Sequence, residues 1–226
     1  AMMGSMVASG EVDALVPERV WQELARGLME DRPSRMLQVL TDSGALSHLL
    51  PEISGAQAGA SDLHHHCKRV DQAARMQAPV TVRFATLCHG ITDPALLAHL
   101  CVRVRAPNDC RDLALLTARE ADAVERSGAL DAAALVQLLE RCDALRKPAR
   151  FREMLLVCAI TANVDDDSNA GHYAPQQRMG KVLATALAVP TESIARQVMA
   201  TGRSGPEVGA AIHAARVEAV AAMADL

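Results

Sequence analysis

Two groups of side chains in this 226-residue chain have types and spacing suited to chemistry. In the first, His64, His65, His66 and Cys67 are consecutive, and Cys88, His89, Asp93 and His99 lie further along. Imidazoles change charge near neutral pH and ligate metals, so this set suits acid–base work or a soft-metal site. Neighbours on a helix point about 100° apart, so no more than one or two of residues 64–67 can share a site. The second group is basic. It comprises Arg103, Arg105 and Arg111, then Arg141, Arg146, Lys147, Arg150 and Arg152. These could be phosphate contacts. Equally, Glu140, Asp143 and Glu153 lie within a turn or so and could hold the arginines as ion pairs at a helix junction. Asp165, Asp166 and Asp167 supply carboxylates, but their polar surroundings read as a solvated turn. His48, His172 and His213 read as isolated surface or loop residues.

The elements that must carry these groups are helices joined by short turns. Pro17 opens the first, with Val20, Trp21, Leu24 and Leu28 at helical spacing. Pro33 starts a second, which ends near Gly44, and a short apolar segment stops at Pro51. Residues 54–61 read as a loop of small residues. Helices are then expected over 63–77, which carries the histidine run, and from Pro79 to Gly90. The next runs from the cap Asp93 to Val104, and another over 110–124. Asp131 caps a helix with Leu135, Leu138, Leu139 and Cys142 on one face, and Pro148 starts one to Ala162. Residues 163–171 read as irregular. The last three helices are expected over 176–188, 191–200 with Thr191 as cap, and 206–224. The final one is rich in small residues, which permits close packing inside the chain or against a second copy.

Composition agrees with that reading. Half the residues are apolar, 42 are Ala, and only 2% are aromatic, which argues against sandwiches, barrels and parallel sheets. The net charge of −4 excludes nucleic-acid binding by bulk charge, though not by a local patch. With so few aromatics, base stacking and sequence-specific RNA reading are not expected. No apolar run approaches the ~20 residues of a membrane span. The six cysteines have no paired spacing and read as reduced core thiols, implying a cytoplasmic protein. Met29, Met36, Met76, Met154, Met179, Met199 and Met223 read mostly as core filler, as do Trp21 and Phe84. Residues 1–10 lack the features of a signal peptide, and Ala1–Met2 reads as a tag scar.

Several strings resemble a known family. Residues 12–24 (VDALVPERVWQEL), Leu50-Pro-Glu-Ile53, Val82-Arg-Phe-Ala-Thr-Leu-Cys-His89, residues 104–114 (VRAPNDCRDLA) and Glu140-Arg-Cys-Asp-Ala-Leu-Arg-Lys-Pro148 are similar to the neck, body and tail of bacterial class II tRNA nucleotidyltransferases, the CCA-adding enzymes. The nearest branch carries a C-terminal HD-type phosphohydrolase domain. The resemblance implies an all-α, elongated multi-helix array. A disordered N-terminus would occupy residues 1–10, neck-like helices 11–55, and a degenerate HD-like body and tail 56–226.

Two departures from the family pattern shape the functional expectation. The family's catalytic head, with its paired strand carboxylates, would precede the neck, and no match to it is found. In the HD centre, His65 fits the first His and His89 the His of the His-Asp doublet, but Gly90 replaces the Asp. Ala121 stands where relatives place another His. No metal and no cofactor is therefore expected. The leading expectation is a relative without nucleotidyl transfer or metal phosphohydrolase activity that binds tRNA or a nucleotide-like small molecule. Arg103, Arg105, Arg146, Lys147 and Arg150 would contact the RNA backbone. The alternative is an enzyme that reuses the emptied pocket, with His65 and His89 as acid–base groups and His64, His66, Cys88 and Asp93 around them. A homodimer remains open, and no membrane association is expected.

Overall fold

The computed structural model describes residues 17–54, 60–162 and 173–223. These residues are all-α, with no strand among them. The helices are α1 (Pro17–Met29), α2 (Ser34–Asp42), α3 (Leu46–Leu49), α4 (Ala60–Arg75), α5 (Val80–Leu87) and α6 (Pro94–Arg103). They continue with α7 (Asn108–Glu125), α8 (Ala132–Arg141), α9 (Pro148–Ala162), α10 (Ala174–Ala188), α11 (Thr191–Ala200) and α12 (Gly205–Ala221). A 3₁₀ turn, Arg126–Ala129, follows α7. The described residues gather into two compact units, one drawn from 17–121 with 156–162 and the other from 122–155 with 173–223.

In the first unit, α1, α2 and α5 pack around α4. Leu24 and Leu28 of α1 are buried, and Trp21 meets the buried ring of Phe84 edge-on, with ring centroids 5.3 Å apart. The last carbonyls of α1 have no partner within the helix. Arg83 of α5 supplies one. The residue is only 5% exposed. Nη1 donates to Leu28 O at 2.7 Å and to Glu30 O at 3.0 Å, while Nε donates to Ala78 O at 2.8 Å. Burial pulls the Arg83 pKa down, and the nearby Asp31 carboxylate opposes that shift. At the start of α2, Ser34 N–H donates to Asp71 Oδ1 of α4 at 2.9 Å. A carboxylate from another helix thus does the work of a local cap. Gly27 leaves room for the Met36 side chain of α2, which a Cβ at position 27 would crowd.

In the second unit, Leu135, Leu138 and Leu139 of α8 are fully buried, and α10 buries Met179, Val182, Leu183 and Ala186. α12 packs against α8, α10 and α11. Ser204 N–H donates to Glu207 Oε2 at 2.7 Å, fixing the start of α12.

Local signals placed most elements. Asp93 and Asp131 cap as expected, accepting from Ala95 N and Ala134 N, each at 2.8 Å. Some expectations need correction. α4 begins at Ala60, inside the expected loop, and ends at Arg75 because Gln77 turns to φ 51°. Thr191 is the first residue of α11 and makes no cap bond, since Pro190 precedes it and fixes the entry. Met154 and Met179 are core, but Met29, Met76 and Met199 are exposed. Residues 1–16, the irregular stretch 163–171 and His172 lie outside the described residues.

Two substitutions test this frame. R83M should lower the unfolding free energy in urea by about 3 kcal/mol or more, because three carbonyls would be without a charged donor. R83K should recover less than half of that, since one ammonium replaces a planar fork. A drop under ~1 kcal/mol for R83M would refute the clasp. G27A should destabilise the chain despite a helix-propensity gain of about 1 kcal/mol. M36A should relieve that cost, giving a favourable coupling in a double-mutant cycle.

Candidate functional site

The histidine run lies on α4. His64 is exposed, His65 and Cys67 are half-buried, and His66 is buried. The His64 and His65 rings sit 6.3 Å apart at 59°, directed differently as helical neighbours must be. His89 and Gly90 follow α5, which packs on α4. His89 N–H donates to Thr86 O at 3.2 Å, and Gly90 turns the chain at φ 102°. A side chain is strained at that angle, so position 90 does not suit a carboxylate ligand. A Cβ built there would lie 4.0 Å from Nη1 of Arg69, which is one turn beyond His65 on α4. The Arg69 guanidinium thus lies near position 90.

The remaining members of the set do not complete a reactive centre. Cys88 is buried, and burial pushes its thiol well above the ordinary range, helped by Cys101, Glu52 and Cys110. Burial likewise raises Cys101 to about 11. Both are protonated at neutral pH and poor as nucleophiles or metal ligands. Asp93 is exposed and engaged in the α6 cap. Among the described residues, no three His, Cys, Asp or Glu side chains converge as metal ligands do. His48 and His99 are exposed. His213 is not isolated: its Nδ1 lies 2.9 Å from Glu140 Oε1, joining α12 to α8. Asp165, Asp166 and Asp167 lie outside the described residues.

The basic candidates fall in separate units. In the first, Arg103 pairs with Glu52 at 2.5 Å and donates to Leu49 O at 3.2 Å. Arg111 pairs with Asp112 at 3.1 Å, and Arg105 is exposed at φ 54°. In the second, Arg146 grips Asp143 with a two-point fork, Nε–Oδ1 2.9 Å and Nη2–Oδ2 2.8 Å. Arg150 reaches the same carboxylate at 3.4 Å and Cys142 O at 3.2 Å. The hydrogen bond from Arg146 is the main reason that Asp143 titrates below its usual range. The ion-pair alternative thus holds for Arg146 and Arg150 through Asp143, whereas Arg103 is paired with the distant Glu52 and not with a neighbouring carboxylate. Lys147 is exposed and outside these pairs.

Residue-by-residue reading missed a feature of the first unit. α1, α2 and the chain near Leu50 enclose an open cleft of about 480 Å³ with an apolar floor that includes Leu24, Met36, Leu40 and Val104. Arg19, Glu23, Arg26, Glu30 and Arg35 line it. The signal that would have found it is charge at i, i+4, i+7 and i+11 beside the apolar stripe of α1.

Sequence comparisons fit this architecture. A family model described as "Probable RNA and SrmB-binding site of polymerase A" matches residues 7–56. The multifunctional CCA protein of Polaromonas naphthalenivorans is 46% identical over 247 residues, covering 97% of this chain and 58% of the relative. That of Variovorax paradoxus is 47% identical over 250 residues, covering 99% and 60%. That of Cupriavidus necator is 47% identical over 249 residues, covering 98% and 60%. The chain thus spans about three fifths of the length of these relatives. No solved structure matches it. No described helix is long and apolar enough to cross a membrane. Along nearly its whole length, the chain is CCA-adding-like: it is similar in sequence to the multifunctional CCA proteins that its helical motifs resemble.

Proposed function

We propose that this chain holds RNA by its backbone and performs neither nucleotidyl transfer nor metal-dependent phosphohydrolysis. tRNA is the RNA class implied by the resemblance to CCA-adding enzymes. The observation that carries the reading is the match of residues 7–56 to an RNA-binding family model, together with exposed cations in that stretch. Arg32 and Arg35 are exposed where α1 gives way to α2, and neither is ion-paired among the described residues. In the second unit, Lys147 is the cation best placed to contact phosphate, because Asp143 already balances Arg146.

The helical corner of His65, His89 and Gly90 fits a metal centre that has ceased to function. Gly90 brings a backbone that suits no carboxylate, and Arg69 brings a positive charge. His65 and His89 keep their places without the ligands needed to bind a divalent ion.

Binding should be weak, steeply salt-dependent and indifferent to sequence. Fluorescence anisotropy with labelled tRNA in 50 mM KCl should give a Kd of about 1–100 µM. R32E/R35E should weaken every tRNA alike, flattening the log K against log salt slope by about 0.9 for each phosphate no longer neutralised. R146E/K147E should flatten it by about one phosphate, not two. If no tRNA binds at 50 mM KCl, RNA binding is refuted.

Metal content gives a separate test. Elemental analysis of purified chain should find Zn, Fe, Mn and Mg well below one equivalent. Close to one metal per chain, removed by H65A, would overturn the assignment of an emptied centre.

A further inference from the structure

Arg19, Glu23 and Arg26 stand at i, i+4 and i+7 on α1, within about 60° of its circumference, and Glu30 follows just beyond its last residue. All four are exposed, and all four line the cleft. In order they read Arg, Glu, Arg, Glu, a stripe about 16 Å long. Spacings of three and four would let each Glu pair with an Arg along the chain. None does, and among the described residues none of the four has an ion-pair partner. Beside the stripe the cleft is apolar. Val20 and Leu24, each one residue after a charge of the stripe, belong to its lining. α2 contributes Met36, Val39 and Leu40, at i, i+3 and i+4. Val39 is 51% exposed, while Met36 and Leu40 are half-buried.

The charges and the apolar floor together limit what this surface can hold. A uniform polyanion does not suit it, because Glu23 and Glu30 would face the phosphates. A small ligand in the 480 Å³ cleft would meet the floor but could not reach charges spread over about 16 Å. An extended peptide would lay its backbone N–H and C=O groups on apolar side chains. The walls are helices whose own backbone groups are bonded internally, and the described residues include no strand edge to which a peptide could add. A helix meets each requirement. Its backbone is satisfied within itself, its apolar side chains can enter the cleft, and its charges repeat at the pitch of the stripe.

We propose that the α1 stripe and the cleft beside it are a docking groove for one amphipathic helix of another protein. Lying antiparallel to α1, that helix sets Lys or Arg against Glu30 and Glu23, sets Asp or Glu against Arg26 and Arg19, and turns apolar side chains into the cleft. The interaction goes beyond RNA binding and does not depend on it. Exposed ion pairs contribute little each, so the apolar contacts supply most of the affinity, and the charges set orientation and partner choice.

The probe is a capped, fluorescein-labelled helical peptide of 18 residues with Lys, Glu, Lys and Glu at its positions 3, 7, 10 and 14. Leu follows each charge, and Ala and Gln fill the rest. Fluorescence anisotropy with the full chain in 50 mM NaCl should give a Kd of about 10–100 µM. All-Lys and all-Glu forms of the peptide should bind about tenfold more weakly, as should a form with Ala in place of Leu. V39D should weaken binding about tenfold with the circular dichroism unchanged, because its site is exposed. R19E/R26E, with four acids on the stripe, should reject the alternating peptide and accept the all-Lys one, which separates a changed groove from an unfolded chain. A wild type that binds no alternating peptide at 500 µM would overturn the proposal, and so would one that binds the all-Lys peptide equally well. Two further outcomes assign the groove to another occupant and overturn it as well. One is self-association by sedimentation that R19E/R26E abolishes and the peptide leaves intact. The other is displacement of the peptide by tRNA, with R19E/R26E lowering tRNA affinity.

Discussion

The first unit depends on one buried guanidinium. A helix that ends against other helices leaves carbonyls that water cannot reach, and each needs a donor. Arg83 meets that need for α1 from a separate helix, binding Leu28 O, Glu30 O and Ala78 O together. Its charge also lies at the negative end of the α1 dipole, the favourable place for a cation. Because the three carbonyls belong to the end of α1 and the approach to α5, the clasp fixes those helices in register. α1 carries one wall of the cleft, and α5 leads into His89 and Gly90. Both surfaces of functional interest in this unit therefore take part of their geometry from Arg83, which touches the cleft only through the Glu30 carbonyl.

Gly90 sets the histidine corner apart from the His-Asp doublet that the family resemblance implies. A missing carboxylate alone could be compensated by a neighbour. Here the backbone also lies in a region that disfavours side chains, with the Arg69 cation close by. The surrounding thiols are held protonated by burial. Backbone angle and thiol protonation both disfavour a cation at this corner.

The parts of the fold legible in the sequence are those set by local chemistry. Pro17, Asp93 and Asp131 mark helix starts because a fixed φ or a capping oxygen acts within one turn. The periodic leucines of α8 identify its buried face for the same reason. What stayed hidden depends on distant partners. Ser34 is capped by Asp71 from 37 residues away, and His213 meets Glu140 across 73. Arg83, inside an apolar run, gives no sign of the carbonyls it will meet. The exposed methionines misled for a related reason: apolar spacing marks a face but does not say whether another element covers it.

Charge was the least legible property, and two arrangements show why. Arg146 and Asp143 are three residues apart and form a two-point fork, as the local rule allows. Arg19 and Glu23 are four apart, equally well placed by that rule, and do not pair. The difference lies in the backbone. Asp143 sits at φ 54°, just after α8 ends, and that turn brings its carboxylate to a guanidinium that Arg146 need not extend far to offer. On the straight flank of α1 no such turn exists, and the side chains of the stripe extend into solvent. A cation balanced within its own loop has little left to offer a phosphate or a partner. One left unbalanced on a straight helix keeps its full field. The functional reading of each arginine therefore follows from the local backbone more than from its place in a basic cluster.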